Sequence, residues 1–185
     1  MDDATQFENV LGVFAHYGFR KASMSDLAEA AGVSRQTLYN RLKDKEAVLD
    51  WAVLGITDIT VLRARDALAS FDSAGNTDGA AIETALVEAI SRKMGDFVPM
   101  LHESPHGWEI MDRGIASLAR AEVDTESHFE LAIAHFLLER GVSPTLDDAR
   151  ERTFAIIVAA KGLMMKCATT ETFAAAMRRV VRVVI

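Results

Sequence analysis

Cysteine is nearly absent from this 185-residue chain; the one copy is Cys167. That excludes a disulfide framework and a multi-cysteine zinc site, and it makes a reducing compartment, the cytoplasm, the expected home. Proline and glycine are also scarce, at 3 and 11 residues. With Ala, Leu, Glu, Arg and Met abundant, this favours helices and disfavours a β-rich fold. No apolar run is long enough to span a bilayer. The opening Met1-Asp2-Asp3 is acidic and unlike a secretory signal. A positive balance is missing too: the formal net charge is -7, which taken alone argues against nucleic acid. What is present is 50% apolar and 25% charged residues, the composition of a globular protein with a substantial core.

Catalytic signatures are missing as well. No Gly-rich phosphate loop, Gly-x-Ser-x-Gly elbow or carboxylate-rich metal motif occurs. Cys167 is the one conceivable nucleophile of a small all-α enzyme, but a lone cysteine in an apolar helix is usually buried and inert. His102, Glu103, His106 and Glu109 raise a metal reading, since His-x3-His can put two nitrogens on one helix face. Pro105 interrupts that helix and spacing fixes no third ligand, so no metal and no cofactor are expected.

The pattern reads as helix almost throughout. Phe7, Val10, Leu11 and Phe14 recur at helical spacing over about 5–17, with Gly18 as the expected C-cap. Ser23, with Asp26 three residues on, starts a helix that ends near Ala31-Gly32. Ser34 caps a third, to about Leu42, and Asp44 a fourth, to about Ser70. The stretch Ser73–Gly79 is loop by composition. Helices are expected at 80–94, 108–122, 126–140, 147–168 and 172–184, with 95–107 irregular because of Pro99 and Pro105. The expected division is a three-helix head at 1–50 and a helical body at 51–185.

One segment carries a functional signal: Met24 to Leu42, two short helices separated by Gly-Val-Ser. A short turn with glycine between helices marks a helix-turn-helix. Ala28 is small enough for one helix to cross closely over the other, and Gly32 supplies the positive φ of a tight turn. Leu27, Ala31, Val33 and Leu38 form the apolar contact. Arg35, Gln36, Thr37, Tyr39, Asn40 and Arg41 then project outward, able to bond base edges or phosphates. Charge is locally favourable, with four bases and one acid between 35 and 45. Spacing alone fits equally well an αα-hairpin that serves as a protein-interaction module.

Flanking residues extend the pattern: Gly18-Phe19, Ser23-Met24, Asp26-Leu27-Ala28, Ala31-Gly32-Val33-Ser34, Thr37-Leu38-Tyr39 and Lys45-Glu46-Ala47-Val48-Leu49. Over about residues 5–50 the chain resembles the TetR/AcrR family of transcriptional repressors. Leu42 departs from the Phe usual there, and the N-terminal arm is acidic where the family's is often basic. The resemblance implies an all-α regulator whose helix from Arg35 enters the major groove of an operator duplex. Arg35, Gln36 and Asn40 become the base-edge candidates, since Arg suits guanine and amides suit adenine. Thr37 and Tyr39 would meet phosphate or a thymine methyl, Ser25 a base or phosphate, and Ser23 a phosphate through its cap. Lys45 would bind phosphate from the first turn of the fourth helix.

The resemblance also implies a homodimer built from the last two helices. Apolar stripes are present: Phe154, Val158 and Met165 around the small Gly162, then Phe173, Met177, Val180 and Val181. The same residues would equally fill the chain's own core. Two copies would read a palindrome with half-sites about 34–36 Å apart. A small-molecule effector would bind in the body, with Phe97, Met100, Leu101, His102, Trp108, Met111, Phe129, Ile133 and Phe136 as lining candidates.

Overall fold

The computed structural model describes residues 3–72, 78–122 and 124–185, and every regular element among them is helical. In chain order these are α1 (Asp3–Tyr17), α2 (Met24–Ala30), α3 (Arg35–Arg41), α4 (Lys45–Asp72), α5 (Gly79–Met94), a 3-10 turn (Gly95–Phe97), α6 (Val98–Glu103), α7 (Gly107–Arg120), α8 (Thr125–Glu139), α9 (Leu146–Met164) and α10 (Thr170–Val184). Two compact units result: Met1–Ile59 with Pro99–Val123, and Thr60–Val98 with Asp124–Ile185. The head expected at 1–50 therefore lies in a unit that also contains α7.

In the first unit, α1 packs on α2 and α7, and α2 on α3. Val10 and Phe14 of α1, Leu27 of α2, Leu38 of α3 and Leu49 of α4 are all at most 2% exposed. Burying each such side chain contributes about 1.5–3 kcal/mol. The helix starts follow their caps. Ser23 and Asp26 form the reciprocal capping box, Ser34 Oγ accepts from the Thr37 amide, and Asp44 Oδ1 accepts from the Ala47 amide at 2.9 Å. Gly32, at φ 67°, makes the turn between α2 and α3, and the Val33 amide closes it on the Ala28 carbonyl at 3.0 Å.

In the second unit, α10 packs on α5 and α9, and α8 packs on α9. Ile90, Ile133, Ile156, Phe173, Met177 and Val181 are completely buried. Glu83 of α5 is also buried, and paired: Arg182 of α10 donates to both its oxygens, at 2.9 and 3.0 Å. These hydrogen bonds hold the Glu83 carboxyl below its ordinary 4.5.

Two stretches differ from the sequence expectation. The segment 95–107 is mostly helical, as the 3-10 turn and α6. Pro99 sits in the first turn of α6, where a missing amide hydrogen is tolerated. At the other end, α9 stops at Met164, so half-buried Cys167 lies in the connection to α10 and not in a helix. Thr169 and Thr172 form a second capping box, which starts α10 earlier than apolar spacing alone indicates. The expected loop Ser73–Gly79 falls largely outside the described residues; Gly79 itself opens α5, capped by Asp78.

Candidate nucleic-acid interface

Helix α3 is fixed on one side and open on the other. Leu38 is its anchor, 2% exposed, while Arg35, Gln36, Tyr39 and Asn40 are all exposed. The open side chains are organised among themselves. Gln36 Nε2 donates to Asn40 Oδ1 at 3.0 Å, and the Arg35 guanidinium lies 5.5 Å from the centre of the Tyr39 ring. With one Gln36 proton so placed, its Oε1 and second proton stay available, as do both protons of Asn40. This inventory can match acceptor and donor pairs on base edges in a major groove.

Thr37 is half-buried, and its hydroxyl lies 2.8 Å from Ser34 Oγ. What Thr37 offers outward is therefore mainly its methyl group. Ser25 is exposed on the first turn of α2. Ser23 is exposed too, but its hydroxyl proton goes to Asp26 Oδ2 at 2.7 Å. Arg20, Lys21, Arg41 and Lys43 are exposed bases on the same small unit.

Lys45 is placed differently from the other candidates. It is half-buried, and its ammonium donates to the Phe19 and Arg20 carbonyls at 2.9 Å each. It also lies 5.3 Å from the centre of the Phe19 ring. The Arg113 guanidinium approaches that ring at 4.0 Å, and Phe14 stacks on it at 5.6 Å.

Sequence reasoning missed the contact network that joins α7 to the head. Arg120 bridges to Glu46 at 3.0 Å and Asp50 at 2.7 Å, and Ser117 donates to Asp50 at 2.5 Å. The His106 amide donates to the Ala15 carbonyl at 2.9 Å. The partners are about 70 or more residues apart in sequence, so no local periodicity announces them. His106 itself pairs with Glu109 at 3.0 Å, and His102 meets the Trp108 ring edge-on.

The effector candidates divide between the units. Met100, Leu101, His102, Trp108 and Met111 fall in the first, and Phe97, Phe129, Ile133 and Phe136 in the second. Leu101, Phe129, Ile133 and Phe136 are buried, while His102 and Trp108 are exposed. Of these, Phe136 lines a cavity of about 150 Å³ with Arg65, Leu68, Ala69, Ala132, His135 and Glu139. A second cavity, of about 210 Å³, lies in the head, bounded by Gln6, Ala31, Val33, Leu38, Arg41, Leu42 and Trp51.

The dimer candidates divide by exposure. Phe154 and Val158 are 63% and 51% exposed on one face of α9, Gly162 opens onto free space on the same face, and Met165, just past the helix end, is 68% exposed. Phe173, Met177 and Val181 are completely buried in the subunit's own core and present no surface; Val180 is half-buried.

Among the described residues, no helix is long and apolar enough to cross a membrane. No curated protein matches the chain. Residues 11–51 match the family model described as bacterial regulatory proteins, tetR family. Among solved structures, the chain is similar to a transcriptional regulator from Rhodococcus sp. Rha1, at 17% identity and a TM-score of 0.67, covering 99% of this chain and 96% of that one. It is also similar to the TetR family transcriptional regulator PfmR from Thermus thermophilus, at 18% identity and a TM-score of 0.52, covering 98% of each chain. The segment 11–51 thus matches the tetR family of bacterial regulatory proteins, on a chain that shares the whole fold of solved transcriptional regulators.

Proposed function

We propose that the chain is a ligand-responsive transcriptional repressor that binds a palindromic operator as a homodimer in the cytoplasm. The observation that carries this is α3: a short helix with one buried anchor and five exposed polar side chains, in the segment that matches the regulatory family. Arg35, Gln36 and Asn40 would read base edges, with Tyr39, Thr37, Ser25 and Ser23 at the phosphate backbone or a thymine methyl. One such helix reads few base pairs, so two copies are needed for useful specificity.

The exposed face of α9 supports the second copy. Phe154 and Gly162 lie four residues on either side of Val158. An antiparallel two-fold axis through Val158 would seat each Phe154 ring over the other copy's Gly162, where nothing lies within 4 Å. Val183 on α10 is a further exposed apolar side chain, at 86%. A dimer spread over two adjacent grooves excludes other proteins from that stretch of duplex, which is repression by occupancy. An effector would act by preferring the conformation that fits DNA less well. The reading assigns no catalysis.

The test is fluorescence anisotropy with an operator duplex, run with sedimentation. The expected result is one dimer per inverted repeat, with affinity lowered by an effector. Binding of single copies without sequence preference contradicts it.

A further inference from the structure

Lys45 does not have the surroundings of a phosphate ligand. A lysine that grips a phosphate backbone normally keeps its ammonium in water until the duplex arrives. Here the residue is half-buried, and two of the ammonium's three protons go to the carbonyls of consecutive residues, Phe19 and Arg20. Those carbonyls belong to the connection between α1 and α2. The connection is short and bent: Gly18 at φ 79° leaves α1, the Ala22 amide returns to the Gly18 carbonyl at 3.0 Å, and Ser23 then caps α2. The Phe19 ring within it is flanked by Lys45 and Arg113, two cations that favour its face. The start of α4 thus holds the point at which α2 begins, and α2 carries the turn into α3.

We propose that Lys45 is a positioning residue that clamps the α1–α2 connection to α4, and that it sets the placement of the recognition helices instead of neutralising a phosphate. The inference rests on the DNA-binding reading of α3 and refines it. The two roles differ in what they predict for salt. Each phosphate neutralised by a lysine steepens the dependence of log affinity on log salt by about 0.9. A positioning residue changes affinity without changing that slope.

The experiment compares wild type, Lys45→Met and Lys45→Arg on one operator duplex across a salt series. The DNA-free proteins are also compared by thermal melting and amide exchange. For Lys45→Met the expected results are an affinity loss of about tenfold at an unchanged salt slope, a melting midpoint lower by about 5 °C, and faster exchange at Ala22. Lys45→Arg is expected to rescue poorly, because a longer planar guanidinium does not direct one nitrogen at two adjacent carbonyls.

A slope reduced by about 0.9 in Lys45→Met with melting and exchange unchanged overturns the proposal. So does full rescue by Lys45→Arg, since arginine is an able phosphate ligand. If Lys45→Met does not fold, the arginine variant decides. If wild type prefers no duplex, the regulator reading fails, while melting and exchange at Ala22 still decide whether Lys45 clamps the connection.

Discussion

The open faces of α3 and α9 are built on opposite principles. On α3 the exposed side chains are polar and bonded to one another, as in Gln36 to Asn40 at 3.0 Å. On α9 an apolar strip of Phe154, Val158 and Gly162, with Met165 just past the helix end, is exposed beside the charged Glu151 and Lys161. The first suits a wet, charged partner whose binding responds to salt. The second suits a dry partner packed as a protein core is packed. On the proposed reading the two faces serve two kinds of recognition, and a variant on the polar face tests the first without altering α9.

The largest expected effect comes from α9. Val158→Asp would bring two carboxylates together on the proposed two-fold axis, a cost of several kcal/mol. Sedimentation should show monomers at micromolar concentration, with operator affinity reduced by about 100-fold or more. A dimer of unchanged strength would remove α9 from the interface and break the comparison.

Next comes the polar face. Arg35→Ala should cost about 1–3 kcal/mol on the preferred duplex and relax one position in each half-site. The subunit should stay dimeric. Anisotropy on matched and substituted duplexes checks both statements. If Gln36 and Asn40 act together, the double alanine variant should lose less than the sum of the single variants.

A smaller effect concerns packing beneath the polar face. Leu42→Phe should occupy part of the 210 Å³ cavity beside α3 and raise the melting midpoint by about 2–4 °C, equivalent to about 1 kcal/mol. A lower midpoint would mean that the cavity cannot admit the ring.

The smallest is a pH effect in the second unit. Arg182 lowers the Glu83 pKa from its ordinary 4.5, so this pair adds stability that is present above pH 4.5 and lost as pH falls below it. Glu83→Gln should flatten that part of the acid limb in melting experiments. An unchanged acid limb would show that the pair carries no linkage.

The sequence expresses these regions unequally. The caps of the head, Ser23, Ser34 and Asp44, are legible because a cap is a local bond over three residues. So is the inward set Phe7, Val10, Leu27 and Leu38, because helical spacing sorts inside from outside. That sorting fails where a helix has apolar residues on more than one side. Phe154 and Phe173 look equivalent as sequence, yet one is 63% exposed and the other is fully buried. Lys45 shows a further limit: its partners, Phe19 and Arg20, offer backbone oxygens, which every residue carries and no composition reveals. Pro99 misled for a related reason, since proline breaks a helix interior but suits a first turn.

The most direct measurement is selection of bound fragments from a genomic duplex pool, with wild type and Gln36→Ala in parallel. The account predicts an inverted repeat with wild type, and the same repeat with one position per half-site relaxed for the variant. Equal retention of scrambled competitor at low salt, or an identical consensus for both proteins, would contradict it.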